Sequence, residues 1–542
     1  MKKEKNSGIL IQGSILAAAG LITKIIGLIY KIPLNNMMGK EAYGTFTNAF
    51  SVYNIALTFS YNSMPMAISK LISSSSAKGN KKNTQKLFFH SAIFCVVLGL
   101  IASLVLYFGA DIFALVMQAK GIAPSVRMLA PTVFTVSLLG LFRGYFQGYN
   151  NMIPTSVSQI VEQIINAATA LLCVSSIKKN VLDPVLFMSQ GSKGACTGTF
   201  AGAAAALVVL IILFIKSGKS NKENTDKTEI ISDNTLSIYR SILLTVIPMI
   251  ISQTIYQIGG WLDEIIFKYN LVTIKGYVEN DVTGLQGIFT GQYNQLINLP
   301  VSVATALAIT LLPSISFESS KGNTSGRNEK ILSVLKLTSL IAFPGAIGIC
   351  VMAKPVIQLL YHSLSPSDSK LATGLLICGF SAVITYSFST VTTSVLQGSG
   401  HMRKPVINSA VSLAFHLLLV FELTYFTPLD TYALVIADIL FPLVIMILNF
   451  ISMKKDMGYT MDIKAICLKP LICSVIMGAA TWLVYTVIYA KTESNIISFI
   501  PAFLAAIVVY FGIIFKIGFF TRDEMFELPM GRTLIRIFRI KE

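Results

Sequence analysis

Apolar runs long enough to cross a bilayer recur along nearly the whole chain, at 13–34, 44–72, 88–110, 125–147, 155–175, 195–215, 236–266, 286–315, 331–353, 370–395, 406–425, 432–452, 466–489 and 497–520. A helix rising 1.5 Å per residue needs about 20 such residues to span about 30 Å of hydrocarbon. The pattern therefore predicts an all-α polytopic membrane protein with about 14 transmembrane helices. Polar residues are confined to short connections and to a few places inside the runs. Composition points the same way: 54% of the 542 residues are hydrophobic and only 13% charged, against about 25% charged in soluble domains. The first run, although it holds Ala17-Ala18-Ala19, continues to Leu34 and is followed by thirteen more, so it reads as the first helix rather than a cleavable signal.

The runs are organised as a duplication. Gln147-Gly148-Tyr149-Asn150-Asn151-Met152 with Pro154 returns as Gln397-Gly398-Ser399-Gly400-His401-Met402 with Pro405, each between two apolar runs. Thr45-Phe46-Thr47 returns as Ile288-Phe289-Thr290, and Met66-Ala67-Ile68-Ser69 as Leu307-Ala308-Ile309-Thr310. A polar stripe is repeated too. Ser51, Asn54, Thr58 and Tyr61 share one helical face, and Gln295, Asn298, Ser302 and Thr305 repeat the spacing 244 residues later. Corresponding loops fall on one side of the membrane, so the halves are expected to be parallel repeats, two six-helix lobes with a site between them. The boundaries follow: an N-terminal lobe at 1–216, a polar linker at 217–235, a C-terminal lobe at 236–453, two further spans at 454–520, and a tail at 521–542 whose apolar and basic residues alternate as in a helix lying on the membrane.

Charge orients the spans. With the N-terminus inside, the inner loops hold Lys78, Lys81, Lys82 and Lys86; Lys216 to Lys227; Lys321, Arg327 and Lys330; Arg403 and Lys404; Lys454 and Lys455; and the basic tail. The outer loops hold about half as many, which the positive-inside rule reads as both termini facing the cytoplasm. The net charge of +17 is thus a topological signal, and no basic stripe with interleaved aromatics supports nucleic-acid binding. Seven cysteines lie inside apolar runs without metal or disulfide spacing.

Candidate chemistry comes from polar groups at bilayer depth, which are costly to place there. Gly13, Ala17, Gly20, Lys24, Gly27 and Lys31 share one face of the first helix, whose small residues are expected to admit another helix. Lys24 costs about 2.5–3.5 kcal/mol at mid-depth unless it faces water, an anion or an acid. Anion binding by Lys24 and Lys31 stands beside two plainer readings, a Lys24–Asp263 pair and a Lys31 that snorkels outward. On the seventh run, Gln253, Gln257, Gly260 and Glu264 form another polar face with Asp263 beside it. Asp263 reads as a cation site, a counter-charge to Lys24, or an interfacial acid. With Asn54, Gln295 and Asn298, these residues make the expected cavity lining. Arg143, Gln147, Gly148, Pro154, Glu162, Gln397 and Gly398 read as hinge architecture, with Arg143 at the phosphate level and Glu162 near Gln159. His90 and His416 read as core or interface residues, and Asp438 leaves structural and transport readings open. No catalytic constellation or metal spacing appears, so no enzyme and no cofactor is expected, beyond a coupling cation that the intramembrane acids would accommodate.

Arg143-Gly144-Tyr145-Phe146-Gln147-Gly148, Ser158-Gln159-Ile160-Val161-Glu162-Gln163, Met64-Pro65-Met66-Ala67-Ile68-Ser69-Lys70, Leu312-Pro313-Ser314-Ile315-Ser316 and Leu528-Pro529-Met530-Gly531 together resemble the SpoVB/YtgP and MurJ branch of the MOP flippase superfamily. The resemblance covers essentially the whole chain. It implies a bacterial plasma-membrane protein of fourteen helices enclosing a cationic cavity, flipping an undecaprenyl-pyrophosphate-linked saccharide such as lipid II to the outer leaflet, and working as a monomer. By that likeness Lys24 and Lys31 stand where relatives carry cavity-facing Arg or Lys, and Asp263 resembles an acid of the seventh helix. This chain departs in having Asn166 and Lys24 where relatives often have Arg, and Lys does not grip a pyrophosphate bidentately as Arg does. Competing readings are a flippase for another lipid-linked polysaccharide unit, a MATE-like exporter, for which twelve spans suffice, and a scaffold with a degenerate transporter fold.

Overall fold

The computed structural model describes residues 2–58, 63–77, 81–220, 235–309 and 311–520. The linker residues 221–234, Tyr61 of the first stripe and the tail 521–542 lie outside the described residues. Contacts divide the chain into two units, Met1–Gly287 and Ile288–Glu542. The division falls beyond the polar linker, so the seventh apolar run belongs with the first unit.

Unit 1 is built from α1 (Lys2–Leu57), α2 (Ser63–Ala77), α3 (Lys81–Val116), α4 (Ala123–Gly148), α5 (Ile153–Asn180), α6 (Pro184–Ser220), α7 (Thr235–Lys268), a π-helix at Tyr269–Ile274 and α8 (Glu279–Ile288). The first two apolar runs share α1, which bends at Gly39, a residue in the left-handed region at φ 75°. Only glycine adopts that conformation without cost. Beyond the bend α1 lies backbone to backbone with α8: a side chain at Gly44 would enter the Thr283 carbonyl, and one at Gly287 the Lys40 carbonyl. α5 and α6 approach as closely through Gly194, Gly198 and Gly202, whose absent side chains leave room for Ile177, Ala170 and Asn166. Without a hydrophobic drive between helices in lipid, such small-residue contacts are what van der Waals packing requires.

Unit 2 contains a π-helix (Phe289–Asn294), α9 (Gln295–Ile309), α10 (Leu312–Ser320), α11 (Thr324–Leu360), α12 (Pro366–Gly379), α13 (Ala382–Gly398), α14 (Arg403–Phe426), α15 (Thr431–Met457), a third π-helix (Lys464–Leu468), α16 (Lys469–Thr492) and α17 (Asn495–Lys516). Every described part of the fourteen apolar runs is helical apart from short breaks. By unbroken length and apolarity, however, ten helices qualify as spans among the described residues, or eleven when α12 and α13, bent by 49°, count as one. The seventh run, 236–266, is helical throughout, with its side chains described only in part; elsewhere the difference has a physical source. The run 286–315 is cut into α8, a π-turn, α9 and α10, and the run 44–72 is shared between α1 and α2. Large apolar side chains such as Phe108, Leu172 and Val508 are over 70% exposed, as expected of surfaces that face lipid.

The duplicated signature takes the same form in each unit. α4 ends at Gly148, Asn150 turns left-handed at φ 56°, and α5 starts with Pro154 in its first turn. α13 ends at Gly398, Gly400 turns left-handed at φ 90°, and α14 follows. Asn150 N–H donates to the Gln147 carbonyl (2.9 Å) and Asn151 N–H to that of Phe146 (3.0 Å); Gly400 N–H and His401 N–H repeat this on Gln397 (3.1 Å) and Leu396 (2.9 Å). Asn and Gly are the residues that tolerate this conformation.

Candidate functional site

The first-helix face is open. A Cβ built on Gly20 or Gly27 would meet nothing within 4 Å. These small residues were expected to admit a neighbouring helix; among the described residues they instead border free space, and their missing side chains widen it. Lys24 between them is exposed and Lys31 half-buried. The surroundings of Gly13 and the side chain of Ala17 lie outside the described set. On α7, Gly260 is equally open, while the side chains of Gln253 and Gln257 lie outside the described residues. Asp263 is half-buried.

The same end of α7 carries a polar cluster that sequence reasoning noticed only in part. Ser51 of the α1 stripe donates from Oγ to Glu264 Oε1 at 2.6 Å, and Gln286 Nε2 of α8 donates to the Glu264 carbonyl at 3.2 Å. One turn on, Lys268 is fully buried, and among the described residues neither its Nζ nor Glu264 Oε2 has a hydrogen-bond partner. Spacing of i, i+4 puts the ammonium and carboxylate on one face, where opposite charges offset part of each other's desolvation. The i, i+4 Glu-Lys spacing was visible in the sequence. That both face inward was not, because it depends on contacts with α1 and α8 more than 200 and about 20 residues away.

Asn54 is half-buried on α1; in unit 2 Gln295 is half-buried, and Asn298 is exposed, its Nδ2 donating to the Asn294 carbonyl at 2.8 Å. A π-helix directly precedes this second stripe. Such a turn re-aims side chains and is frequent at functional sites.

The signature residues are placed by packing. Gly144 and Gly148 lie one turn apart against α2: a Cβ on Gly144 would stand 2.8 Å from Ile68 Cβ, and one on Gly148 2.8 Å from Ile72 Cβ. Two of the quoted motifs are thus the two sides of one helix contact. Unit 2 repeats it, with Ser316 Oγ of α10 donating to the Gly398 carbonyl at 2.7 Å. Arg143 turns into the protein. It is 2% exposed, donating to Ser158 Oγ at 3.1 Å and to Glu162 Oε2 at 2.7 Å. Burial drives the pairing, since either charge alone would be costly there. Glu162 therefore pairs with α4. Gln147 accepts the turn's amide through its backbone, and Gln397 does likewise. Asn166 Nδ2 lies 3.4 Å from Tyr30 Oη. His90 meets the Tyr239 hydroxyl at 3.3 Å, His416 the Ala437 carbonyl at 3.1 Å, and Asp438 accepts from Tyr293 (3.0 Å) and Tyr386 (2.6 Å).

Unit 2 also holds a cavity of about 530 Å³ between α9, α11, α16 and α17. Leu299, Val303, Ile349, Met477, Phe503 and Ile507 line it, and its polar contributors are few, Thr481 and Tyr510 among them. Two of its four walls come from the helices that have no counterpart in the repeat.

These features define a multi-pass, all-helical membrane protein with a transporter fold. The chain belongs to the polysaccharide biosynthesis protein family, whose profile matches residues 9–317, more than half of its length. It is 26% identical to the lipid II flippase MurJ of Bacillus subtilis (strain 168), over 98% of each chain. It is 24% identical to the stage V sporulation protein B of the same organism, over 96% of this chain and 98% of that one. Among solved structures, lipid II flippase MurJ in an inward closed conformation matches with a TM-score of 0.68 at 18% identity, over 94% of this chain and 99% of that chain. An inward-facing multidrug resistance MATE transporter of the MOP superfamily matches with a TM-score of 0.66 at 16% identity, over 80% and 94%. The chain is thus a member of the polysaccharide biosynthesis protein family that shares its fold with a lipid II flippase and with a MATE transporter.

Proposed function

We propose that this protein is a flippase that carries an undecaprenyl-pyrophosphate-linked saccharide, lipid II in the first instance, from the inner to the outer leaflet by alternating access. The observation that carries this reading is the apolar cavity walled by α16 and α17. A small hydrophilic or cationic drug has no use for a dry slot of aliphatic and phenyl side chains. A polyprenyl chain does, because its headgroup must cross about 30 Å of hydrocarbon while its tail stays in an apolar phase. The open α1 face with Lys24 supplies the complementary requirement, a cation within bilayer depth for the pyrophosphate. Full-length similarity to a lipid II flippase supports the same reading. Both termini face the cytoplasm in this proposal, as the Lys/Arg bias requires.

A MATE-like exporter is the second reading, supported by the shared fold. Reconstitution decides between them. Proteoliposomes holding the purified chain should expose fluorescent lipid II on the outer surface faster than protein-free vesicles, and other polyprenyl-linked glycans should be compared alongside. Transport of organic cations with no movement of any polyprenyl-linked glycan would overturn the proposal in favour of the exporter.

A further inference from the structure

A second apolar crevice, of about 460 Å³, lies in unit 2 away from the cavity just described. Phe388 of α13, Met446 and Phe450 of α15, and Met461, Ile463 and Cys467 of the following segment form its walls. Its shape comes from how α15 ends. Gly458 takes the left-handed conformation at φ 67°, and Tyr459 N–H reaches back to the Met453 carbonyl at 3.2 Å. The chain therefore folds over the end of α15 and roofs the crevice with 459–463.

Beside the buried Tyr459, the crevice is lined by two polar residues that are exposed, Lys454 and Thr460. Lys455 adjoins Lys454 in the last turn of α15, and Lys464 follows the crevice residue Ile463; both are also exposed. The nearby acids are engaged elsewhere. Asp456 is paired with Lys404 at 3.2 Å, and Asp462 Oδ1 accepts from Ala465 N–H at 3.0 Å. Arg327 of α11 donates to the Met457 carbonyl, which offsets the negative end of the α15 dipole. Burial and the neighbouring Asp462 push the Tyr459 phenol up, so it presents a neutral ring rather than a competing anion. The surroundings of the mouth are thus cationic, and its interior is apolar.

We propose that this crevice is a binding site for an anionic phospholipid of the adjacent leaflet, one acyl chain lying between α13 and α15 and the phosphate held at Lys454. Moving a chain from lipid into such a crevice changes its surroundings little, since lipid tails are as apolar as the walls. Selectivity must therefore come from the headgroup. Each lysine near the surface favours an anionic lipid by about fivefold, equivalent to ~1 kcal/mol. A zwitterionic lipid gains much less, because its own ammonium opposes the lysines. The site is separate from the cavity walled by α16 and α17 and does not depend on which glycan, or which other solute, the protein moves.

Ile463 is 65% exposed and lines the crevice, which makes it a reporter position. In the full chain, Trp261 and Trp482, the only two tryptophans, are replaced by Phe, and Ile463→Trp is introduced. Brominated phosphatidylglycerol should quench this tryptophan at about five- to twentyfold lower mole fraction than brominated phosphatidylcholine in otherwise identical vesicles. Lys454→Gln should lower this preference about fivefold, and raised salt should narrow the gap in the parent. Equal quenching in the parent, or a preference that Lys454→Gln leaves unchanged, overturns the proposal. Should the reporter variant fail to insert, mass spectrometry of the unaltered chain released from mixed vesicles replaces it. Retained phosphatidylglycerol in excess of its vesicle fraction supports the site, and retention in proportion to that fraction refutes it.

Discussion

At the scale of single residues, Lys24 is the sharpest test of the cavity. It stands exposed between Gly20 and Gly27, with space where a Cβ on either glycine would point. A cation in that setting avoids much of the ~2.5–3.5 kcal/mol that bilayer depth would otherwise cost. If it holds pyrophosphate, Lys24→Ala should lower lipid II flipping at least tenfold while the protein still inserts and purifies, and Lys24→Arg should keep most of the activity because guanidinium grips phosphate at least as well. Proteoliposome flipping measured beside a thermal-unfolding midpoint separates the two effects. Wild-type transport by the alanine variant would return Lys24 to a structural role. Arg143 is a contrasting case. Both residues were conspicuous as charges inside apolar runs, but sequence gives depth and face, not partners. The ion pair with Glu162 that turns Arg143 inward joins α4 to α5, 19 residues apart. Lys268 was legible still less, since nothing in its neighbours announces that it is fully buried.

At the scale of elements, the signature is a contact between helices, and its two copies differ in tightness. A Cβ at Gly148 would stand 2.8 Å from both Cβ and Cγ2 of Ile72, a β-branched side chain with no freedom to withdraw. At Gly398 the nearest atom is Ser316 Oγ at 3.1 Å, the end of a small side chain that can rotate away. Gly148→Ala should therefore destabilise by about 1–3 kcal/mol, the usual range for overpacking, and Gly398→Ala by less than about 1 kcal/mol. Thermal melts of the two variants in one detergent check the order; equal losses would mean that the α2–α4 contact is looser than it stands. The repeat itself was legible because turn chemistry is local: a left-handed residue three positions after Gln147 and Gln397 favours Asn or Gly, and these positions hold Asn150 and Gly400. Interruptions of the helices were not. Apolar periodicity continues unchanged through the bend at Gly39 and the π-turn before α9. Hence the runs 44–72 and 286–315 read as single spans in sequence but do not each stand as one unbroken span.

At the scale of the molecule, the direction of transport rests on topology, which the helices alone do not set, because an α-helical bundle is equally well packed either way up. The asymmetry lies in the loops. Arg403 and Lys404 follow the second signature turn, Lys454 and Lys455 close α15, and Lys321, Arg327 and Lys330 surround the start of α11; the membrane potential and the insertion machinery hold such clusters inside. The signature turns belong to that same set, so Asn150 and Ser399 should both face the cytoplasm. Their side chains suit a labelling test: Asn150 is exposed and Ser399 half-buried at the helix end, and the native cysteines are all unpaired and can be replaced first. Single cysteines at these two positions should resist a membrane-impermeant maleimide in intact cells and react once the membrane is opened, whereas a cysteine at Asn495, the first residue of α17, should react in intact cells. Labelling of both turns from outside would invert the whole chain. It would also overturn inner-to-outer flipping, because the cationic ends that gather anionic headgroups would then lie on the wrong face of the membrane.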